Sequence, residues 1–444
     1  MKSNIPTIIG SSARRITLTS AVAAVLLAQT VGQAETPARR MGGIIPSTAS
    51  KPPISAPQPS SASDGPVAWW EDSDSMAQSG VDAKDMLPKR WNLFGSLTAG
   101  YEYDDNLSLD EDGKAGSGFM TVQPSVGAKY GPMASGLTMD LIYTADLEWY
   151  LDNDMGDRVN HDVSTNFNWE RGPFRLFGSL AYSSQASANI DAGERIAQDT
   201  ITTNMGATYE HSEKTSLGVT YSTDVFSPED DSYIPSTTQT FGVFADYKVS
   251  GKTTLGLGAQ YEYQQVGRGS DSNAYRVLLR STWAATDRLT LRGEVGPEVR
   301  EYTDADSGME AYWNLGIDYK LKFLDTGKTT FSFDVYRDQS ASSSLVNQSY
   351  TSTGIAGTLS YTPAERISVN IATGYEFANY TGTSAEVNAD RQDQLYFARP
   401  SISYSFSRRA SMSLFYQWTQ NVSEGDQGVG FERNGYGALF TVSF

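Results

Sequence analysis

Side chains that act as nucleophiles, general bases or soft metal ligands are scarce in this chain of 444 residues. It contains two histidines, His161 and His211, and no cysteine. Protein zinc sites are built mainly from several His and Cys ligands, so we predict that the protein holds no metal ion and no other cofactor. A hydrolase that depends on His161 is the least favoured of the functions weighed below, and we expect no enzymatic activity.

Ionisable residues with a regular spacing offer a different kind of chemistry. They alternate with apolar residues, and successive side chains of a β-strand point to opposite faces of the sheet. On the lipid side of a membrane barrel, an ionised group near the bilayer midplane costs about 2–4 kcal/mol. We therefore expect these residues to face a lumen. The candidate pore-lining residues are Asp140, Asp146, Glu148, Arg276, Arg280, Arg292, Glu294, Glu298, Arg300, Asp318, Asp334 and Arg399.

Charges on the wall of a pore set its ion selectivity. We expect the arginines of this group to form a basic strip, with Asp140, Asp146 and Glu148 across or around the barrel from it. The predicted outer loops are rich in Asp and Glu, as at residues 104–112 and 229–231. An acidic mouth concentrates cations, which predicts a weak cation preference that fades as salt screens the charges. The alternative is that the wall charges pair across strands and only fill a closed interior.

The elements that position these residues are predicted to be β-strands. Residues 137–151 place Leu, Met, Tyr, Ala and Trp at odd positions, with Thr, Asp and Glu at most even positions, and residues 255–263 repeat the alternation. Such segments, about 10 to 14 residues long, suit tilted transmembrane strands. Eight short turns alternate with nine longer polar loops, as in outer-membrane barrels. We therefore predict an all-β fold, a transmembrane antiparallel up-and-down β-barrel of about 18 strands (16–18), over residues 91–444.

Aromatic residues support this topology. The chain has 25 Tyr, 18 Phe and 8 Trp, and many of them fall near predicted strand ends, where a membrane barrel carries its aromatic girdles. An aromatic-Glu-aromatic motif closes three strands that enter long loops: Tyr101-Glu-Tyr103, Tyr261-Glu-Tyr263 and Tyr375-Glu-Phe377. The pattern predicts aromatic side chains at the membrane interface and an acid on the inner face.

The C-terminal strand has an aromatic at its last position. Tyr436, Ala438, Phe440, Val442 and Phe444 fall on one side of an alternating strand. The pattern resembles the recognition strand that the assembly machinery of bacterial outer-membrane barrels reads. The resemblance implies an assembly signal formed by Tyr436, Phe440 and Phe444.

The N-terminal part is predicted to lie outside the barrel. Residues 1–34 read as a secretory signal peptide, with basic residues before a short apolar run and Gly32-Gln33-Ala34 at the cleavage site. Residues 35–90 form a Pro/Ser-rich segment that we expect to be disordered in the periplasm. A formal net charge of −18 argues against a nucleic-acid partner.

Residues 91–444 resemble the poorly characterised outer-membrane β-barrel porin families of Gram-negative-type bacteria. The resemblance rests on Gly100-Tyr-Glu-Tyr-Asp-Asp-Asn106 in the first strand and on the terminal Phe444. It implies a channel in the cell outer membrane, and for some members export of exopolysaccharide. The chain departs from polysaccharide secretins because it has no helical repeats before the barrel. No outer loop appears long enough for the inward-folded constriction of general porins.

The leading hypothesis is an outer-membrane channel for passive diffusion of small hydrophilic solutes or export of glycan, with weak cation preference. Its expected partners are membrane lipid, lipopolysaccharide, the barrel assembly machinery and the transported solute or polysaccharide. The alternative is a structural or adhesive barrel with acidic surface loops and an occluded lumen.

Overall fold

The computed structural model describes residues 91–444 except 113, 132–135, 152–155, 324–326, 385–386, 388 and 426, and gives only the backbone of residues 322, 323, 327 and 328. The predicted signal peptide (1–34) and the predicted periplasmic segment (35–90) lie outside the described residues and stay predictions. Among the described residues, no helix is long and apolar enough to cross a membrane.

The described chain is a succession of strands. Their bounds are β1 Trp91–Asp104, β2 Ser117–Tyr130, β3 Leu137–Tyr150, β4 Arg158–Arg171, β5 Phe174–Asn189, β6 Glu194–Glu210, β7 Thr215–Pro228, β8 Ser236–Ser250, β9 Thr253–Val266, β10 Ser272–Thr286, β11 Leu289–Tyr302, β12 Gly308–Phe323, β13 Gly327–Ala341, β14 Gln348–Ala364, β15 Ile367–Gly382, β16 Gln392–Ser407, β17 Ala410–Glu424 and β18 Phe431–Ser443.

The strands close into a ring. Each pairs antiparallel with its neighbours along the chain, and β1 pairs with both β2 and β18. The ring therefore has 18 strands, which confirms the predicted barrel and its strand number. We call the end that carries the longer loops the mouth and the opposite end the turn end.

Alternation explains why the sheet has one apolar face and one polar face. On β10, Tyr275, Val277 and Leu279 are 48, 61 and 52% exposed, whereas Arg276 and Arg280 on the other face are 5 and 7% exposed. The exposed side chains face outward, where lipid replaces water as their surroundings. The buried arginines face the lumen, where polar groups find partners.

Aromatic residues stand at both ends of the outer face. Tyr209, Tyr247 and Trp283 are exposed near the turn end, and Tyr261 and Tyr416 are exposed nearer the mouth. The Tyr261 ring lies 5.4 Å from that of Tyr275 on the neighbouring strand. The glutamates of two of the predicted motifs, at positions 262 and 376, are buried on the inner face. The wall thus carries two aromatic girdles of the kind that the sequence predicts.

Eight strands have 13 or 14 residues, within the predicted length, and the other ten are longer, at 15 to 17 residues. At the mouth, β5 and β6 continue to Asn189 and Glu194 and leave a turn of only four residues, 190–193. The reason is that the small residues Ser187 and Ala188 are buried rather than solvated. Their burial extends the hairpin toward the mouth.

The seam between β1 and β18 is fastened at the mouth by the motif that carries the family resemblance. Asp104 forms an ion pair with Arg433. The Asp105 carboxylate accepts bonds from the backbone N–H of Asn434, at 2.6 Å, and from its side chain, at 2.9 Å. Asn106 is fully buried. These contacts give the Asp-Asp-Asn sequence a structural role in joining the first strand to the last.

At the turn end, the seam is closed by the backbone of Phe444. Its N–H donates to the Gly95 carbonyl at 2.9 Å, and the Gly95 N–H donates to the Phe444 carbonyl at 3.0 Å. The Phe444 ring lies over Gly95, where an added Cβ would come within 2.6 Å of it. Tyr436, Phe440 and Phe444 are exposed on the outer face of the seam. That they act as an assembly signal stays a prediction.

Candidate functional site

The inner wall carries a buried cluster of two arginines and three carboxylates. Arg276 on β10 contacts Glu262 on β9 at 3.0 Å, Asp338 on β13 at 3.1 Å, and Glu298 on β11. Arg300 on β11 contacts the same Glu262 at 2.8 Å and the same Glu298 at 3.0 Å. Apart from Asp338, these side chains are less than a tenth exposed. Strand register produces the cluster at two successive inward-facing levels of the wall. Arg276 lies opposite Glu298, whereas Glu262 and Arg300 both lie opposite Ala274, one inward-facing position nearer the mouth.

A second pair of contacts lies nearer the turn end. Arg280 donates to both oxygens of Asp246 at 3.1 Å and to Glu294 at 2.8 Å. Its guanidinium carbon lies 4.0 Å from the centre of the Phe244 ring, which adds a cation–π contact.

A third group surrounds Arg292. This arginine forms ion pairs with Asp318 on β12 and, at 2.6 Å, with Asp334 on β13. Arg399 lies apart on β16, with its guanidinium carbon 4.9 Å from the centre of the Phe415 ring.

These contacts change the expected electrostatics of the wall. Four arginines, at positions 276, 280, 292 and 300, meet seven carboxylates. The wall from β8 to β13 is therefore not the basic strip that the sequence suggested, because carboxylates outnumber arginines in it. Among the described residues, these arginines and carboxylates pair across strands, which is the alternative given above for the wall charges. That the residues line a conducting path stays a prediction.

The acids of β3 lie seven strands round the ring from β10 and are held mostly by neutral donors. Thr121 donates to Asp146 at 2.6 Å, and Tyr150 donates to Glu148 at 2.6 Å. Asp140 accepts from the side chain of Asn166 at 3.1 Å. Glu148 also forms an ion pair with Arg195 on β6 at 3.7 Å, so this part of the wall carries charges of both signs as well.

The histidines lie away from these clusters. His161 Nδ1 is 3.0 Å from the hydroxyl of Tyr143, an exposed residue of the outer face. His211 follows β6 in a turn, with its ring 6.2 Å from that of Tyr209. Among the described residues, no group of three or more His, Cys, Asp or Glu side chains is arranged to hold a metal ion.

The mouth contains a feature that the sequence did not reveal. The turn 190–193 between β5 and β6 contacts the loop 342–347 between β13 and β14 through Asp191. The Asp191 carboxylate accepts hydrogen bonds from Ser342 Oγ at 3.0 Å, from the Ser343 N–H at 2.6 Å and from Ser343 Oγ at 2.7 Å. The Tyr380 hydroxyl donates to it at 2.8 Å. We call these contacts the Asp191 latch.

Arg391 completes the latch from the loop between β15 and β16. It donates to the Asp191 carbonyl at 2.7 Å and pairs with Asp393 at 2.6 Å. Burial lowers the pKa of Arg391, but its hydrogen bond with Asp393 and the neighbouring negative charges raise that pKa overall. The guanidinium therefore stays charged, and its carbon lies 4.5 Å from the centre of the Tyr380 ring.

The loops at the mouth also pack through apolar side chains. One buried cluster joins Leu109 of the first loop, Ala188 and Ile190 of the β5–β6 hairpin, Leu395 of β16 and Phe431 of β18. Short loops thus meet across the mouth, although none appeared long enough in the sequence to fold inward.

No sequence signal distinguishes Asp191 or the serines of the latch, because their role depends on strands that are far apart along the chain.

Comparison with protein-family models and with curated proteins found no match. Solved structures give similarities of overall shape. The outer membrane protein OpdK from Pseudomonas aeruginosa is 10% identical, with 79% of this chain and 98% of that chain covered and a TM-score of 0.41. OccAB3 from Acinetobacter baumannii is 9% identical, with 80 and 100% covered and a TM-score of 0.41. The FrpB iron transporter from Neisseria meningitidis is 11% identical, with 77 and 64% covered and a TM-score of 0.41.

Structural similarity at these TM-scores gives no information about function. The fold is established by the strand pairing of this chain itself. A closed antiparallel ring of 18 strands with an apolar outer face and two aromatic girdles is the architecture of bacterial outer-membrane barrels. The protein belongs to the outer membrane of a Gram-negative-type bacterium.

Proposed function

We propose that this protein is a porin-like channel for passive diffusion of small hydrophilic solutes or export of glycan, with a weak preference for cations. The observation that carries the proposal is the polar, charged inner face of a closed 18-stranded ring. Lipid and lipopolysaccharide would surround its apolar outer face, and the assembly machinery would read β18.

The width of the ring supports this proposal. With strands about 4.8 Å apart and tilted by about 40°, a round ring of 18 strands has a backbone diameter of about 35 Å. Barrels of this size are too wide for their own wall side chains to fill. The ion-pair clusters join strands that lie within three places of one another, so they coat the wall rather than span the lumen.

The excess of carboxylates supports the cation preference. The clusters around the four arginines are net negative, and Asp146 on β3, which accepts from the neutral Thr121, adds to this charge. A net negative wall attracts cations most strongly at low ionic strength, because salt screens exposed charges over about 8–10 Å at 0.10–0.15 M.

Planar-bilayer recording of the purified, folded protein tests the proposal. We expect discrete conductance steps and, under a KCl gradient, a reversal potential of the sign for cation preference that shrinks as both salt concentrations rise. Heat-modifiable mobility on a gel verifies that the barrel is folded. An absence of steps at any voltage, both from folded wild-type protein and from a folded variant that lacks residues 342–347, would refute the channel function.

The latch favours a second candidate, a structural or adhesive barrel whose lumen is occluded and whose acidic loops carry the function. This candidate predicts silent bilayers, even for a variant that lacks the loop 342–347. It also predicts loss of surface binding when residues 105–116 are deleted. The loop-deleted variant separates the two candidates, since a channel conducts once its mouth is cleared.

A further inference from the structure

We propose that the Asp191 latch is a gate that is closed in this structure and opens when the β13–β14 hairpin releases the turn 190–193. The inference rests on the proposed channel function and names how that channel is controlled. It concerns four segments: the turn 190–193, the loop 342–347, Tyr380 of β15, and Arg391.

The two segments that the latch joins come from opposite sides of the ring. The turn 190–193 and the loop 342–347 are eight strands apart in a ring of 18, almost diametrically opposite. Wall positions so placed are about 35 Å apart in a round ring. Yet the Ser343 N–H lies 2.6 Å from Asp191 Oδ2, and the Ile234 N–H donates to the Ser343 carbonyl at 2.7 Å. The loop 342–347 thus reaches over the lumen to segments from two other parts of the ring.

A local break in strand pairing gives the hairpin freedom to move. The pairing of β13 with β12 ends at Arg337 opposite Trp313. The pairing of β13 with β14 continues four residues further, to Ala341 opposite Ser349. The end of the hairpin is therefore not held by the backbone of β12. Besides β15 and the latch, it is held by side-chain contacts of Asp338 with Arg276 and of Gln339 with Tyr302, and by the backbone bond from Ile234. A hinge at this point lets the tip swing without loss of the pairs in the wall below.

The chemistry of the latch makes it releasable. Asp191 is buried, and its single carboxylate is the acceptor for Ser342, Ser343 and Tyr380. Loss of one charge therefore weakens several bonds together. Most of the donors are hydroxyl and backbone N–H groups, which water can satisfy once the tip has moved, and Arg391 keeps its ion pair with Asp393.

Disulfide cross-linking tests the gate. The natural chain has no cysteine, so only two introduced cysteines can form the bond. The Asn189 side chain lies 3.1 Å from Ser343 Oγ. In the variant with Asn189→Cys and Ser343→Cys, oxidation fixes the latch and reduction frees it within the same sample. We expect oxidation to abolish most of the conductance of folded barrels in bilayers and a reductant to restore it. Conductance that is equal in the oxidised and reduced states, with the bond confirmed by mass spectrometry, overturns the gate and leaves the channel function intact.

A single substitution gives an independent measure. Asp191→Asn keeps the size of the side chain but removes its charge, and a charge-assisted bond of about 1.5–3 kcal/mol corresponds to a change of roughly 10-fold to 100-fold in the ratio of open to closed channels. The matched control is Asp230→Asn, the same change at an exposed loop position of the mouth whose carboxylate bonds its own loop at Ser232. An open fraction in Asp191→Asn that equals the control overturns the gate. Silence of the wild type, of Asp191→Asn and of the variant without residues 342–347 overturns the channel function and the gate with it.

Discussion

Replacing Arg276 with Met removes a cation that three carboxylates share. In the wild type, two arginines face the three carboxylates of Glu262, Glu298 and Asp338, and the side chain of Arg276 is 4% exposed. After the substitution, Arg300 still contacts Glu262 and Glu298, but Asp338 loses its ion pair with Arg276. Removing one partner of a buried ion pair leaves an uncompensated buried charge and costs about 3–5 kcal/mol. We therefore expect the free energy of unfolding to fall by about this amount.

Urea unfolding of the barrel in lipid vesicles, followed by tryptophan fluorescence, measures this loss. The matched control is Arg337→Met, which breaks a partly exposed pair with Glu310 near the mouth ends of β13 and β12. Exposed pairs contribute about 0–1 kcal/mol. Equal losses in the two variants, or a loss below about 1 kcal/mol for Arg276→Met, would show that the cluster is solvated and that the burial argument is wrong.

Further predictions concern the seam, the assembly signal and selectivity. Phe444→Ser should reduce insertion into the membrane far more than Phe406→Ser, which alters another exposed phenylalanine; equal membrane levels on immunoblots would contradict the signal. Asn106→Ala removes bonds of 2.8 and 2.9 Å made by its side chain and should cost about 1–3 kcal/mol in urea unfolding; an unchanged midpoint would exclude a seam role. Asp146→Asn with Glu148→Gln should move the reversal potential toward anions; an unmoved potential would remove both acids from the conducting path.

The fold could be predicted because lipid and water impose a period of two on every strand. Val277 and Leu279 have to be apolar where they meet lipid, and the acid of the aromatic-Glu-aromatic motif has to turn inward, as Glu262 does. Each of these requirements acts on one residue and its immediate neighbours. These requirements can therefore be recognised in the sequence, as can the turns that separate the strands.

The contacts of the site could not be predicted in the same way. Arg276 meets Asp338, 62 positions away and three strands along the ring, and Asp191 meets Ser343, 152 positions away. Such contacts depend on register and on how far the wall curves. Alternation places Arg276 on the inner face but does not say which acid it meets. For this reason the sequence suggested a basic strip where the structure has mixed clusters.

The seam has a consequence for the order of folding. Thr98 and Thr441, which bond across it at 2.9 Å, are 343 positions apart, whereas the other strand pairs join neighbours along the chain. Hairpins that form in sequence leave a curved sheet with two bare edges until β1 meets β18. In a bilayer, each unpaired backbone group on those edges costs several kcal/mol, and the seam holds nine residue pairs. The unclosed sheet is therefore unstable in lipid by itself. Either the ring closes as it inserts, or a surface that pairs with the two edges protects them until it closes.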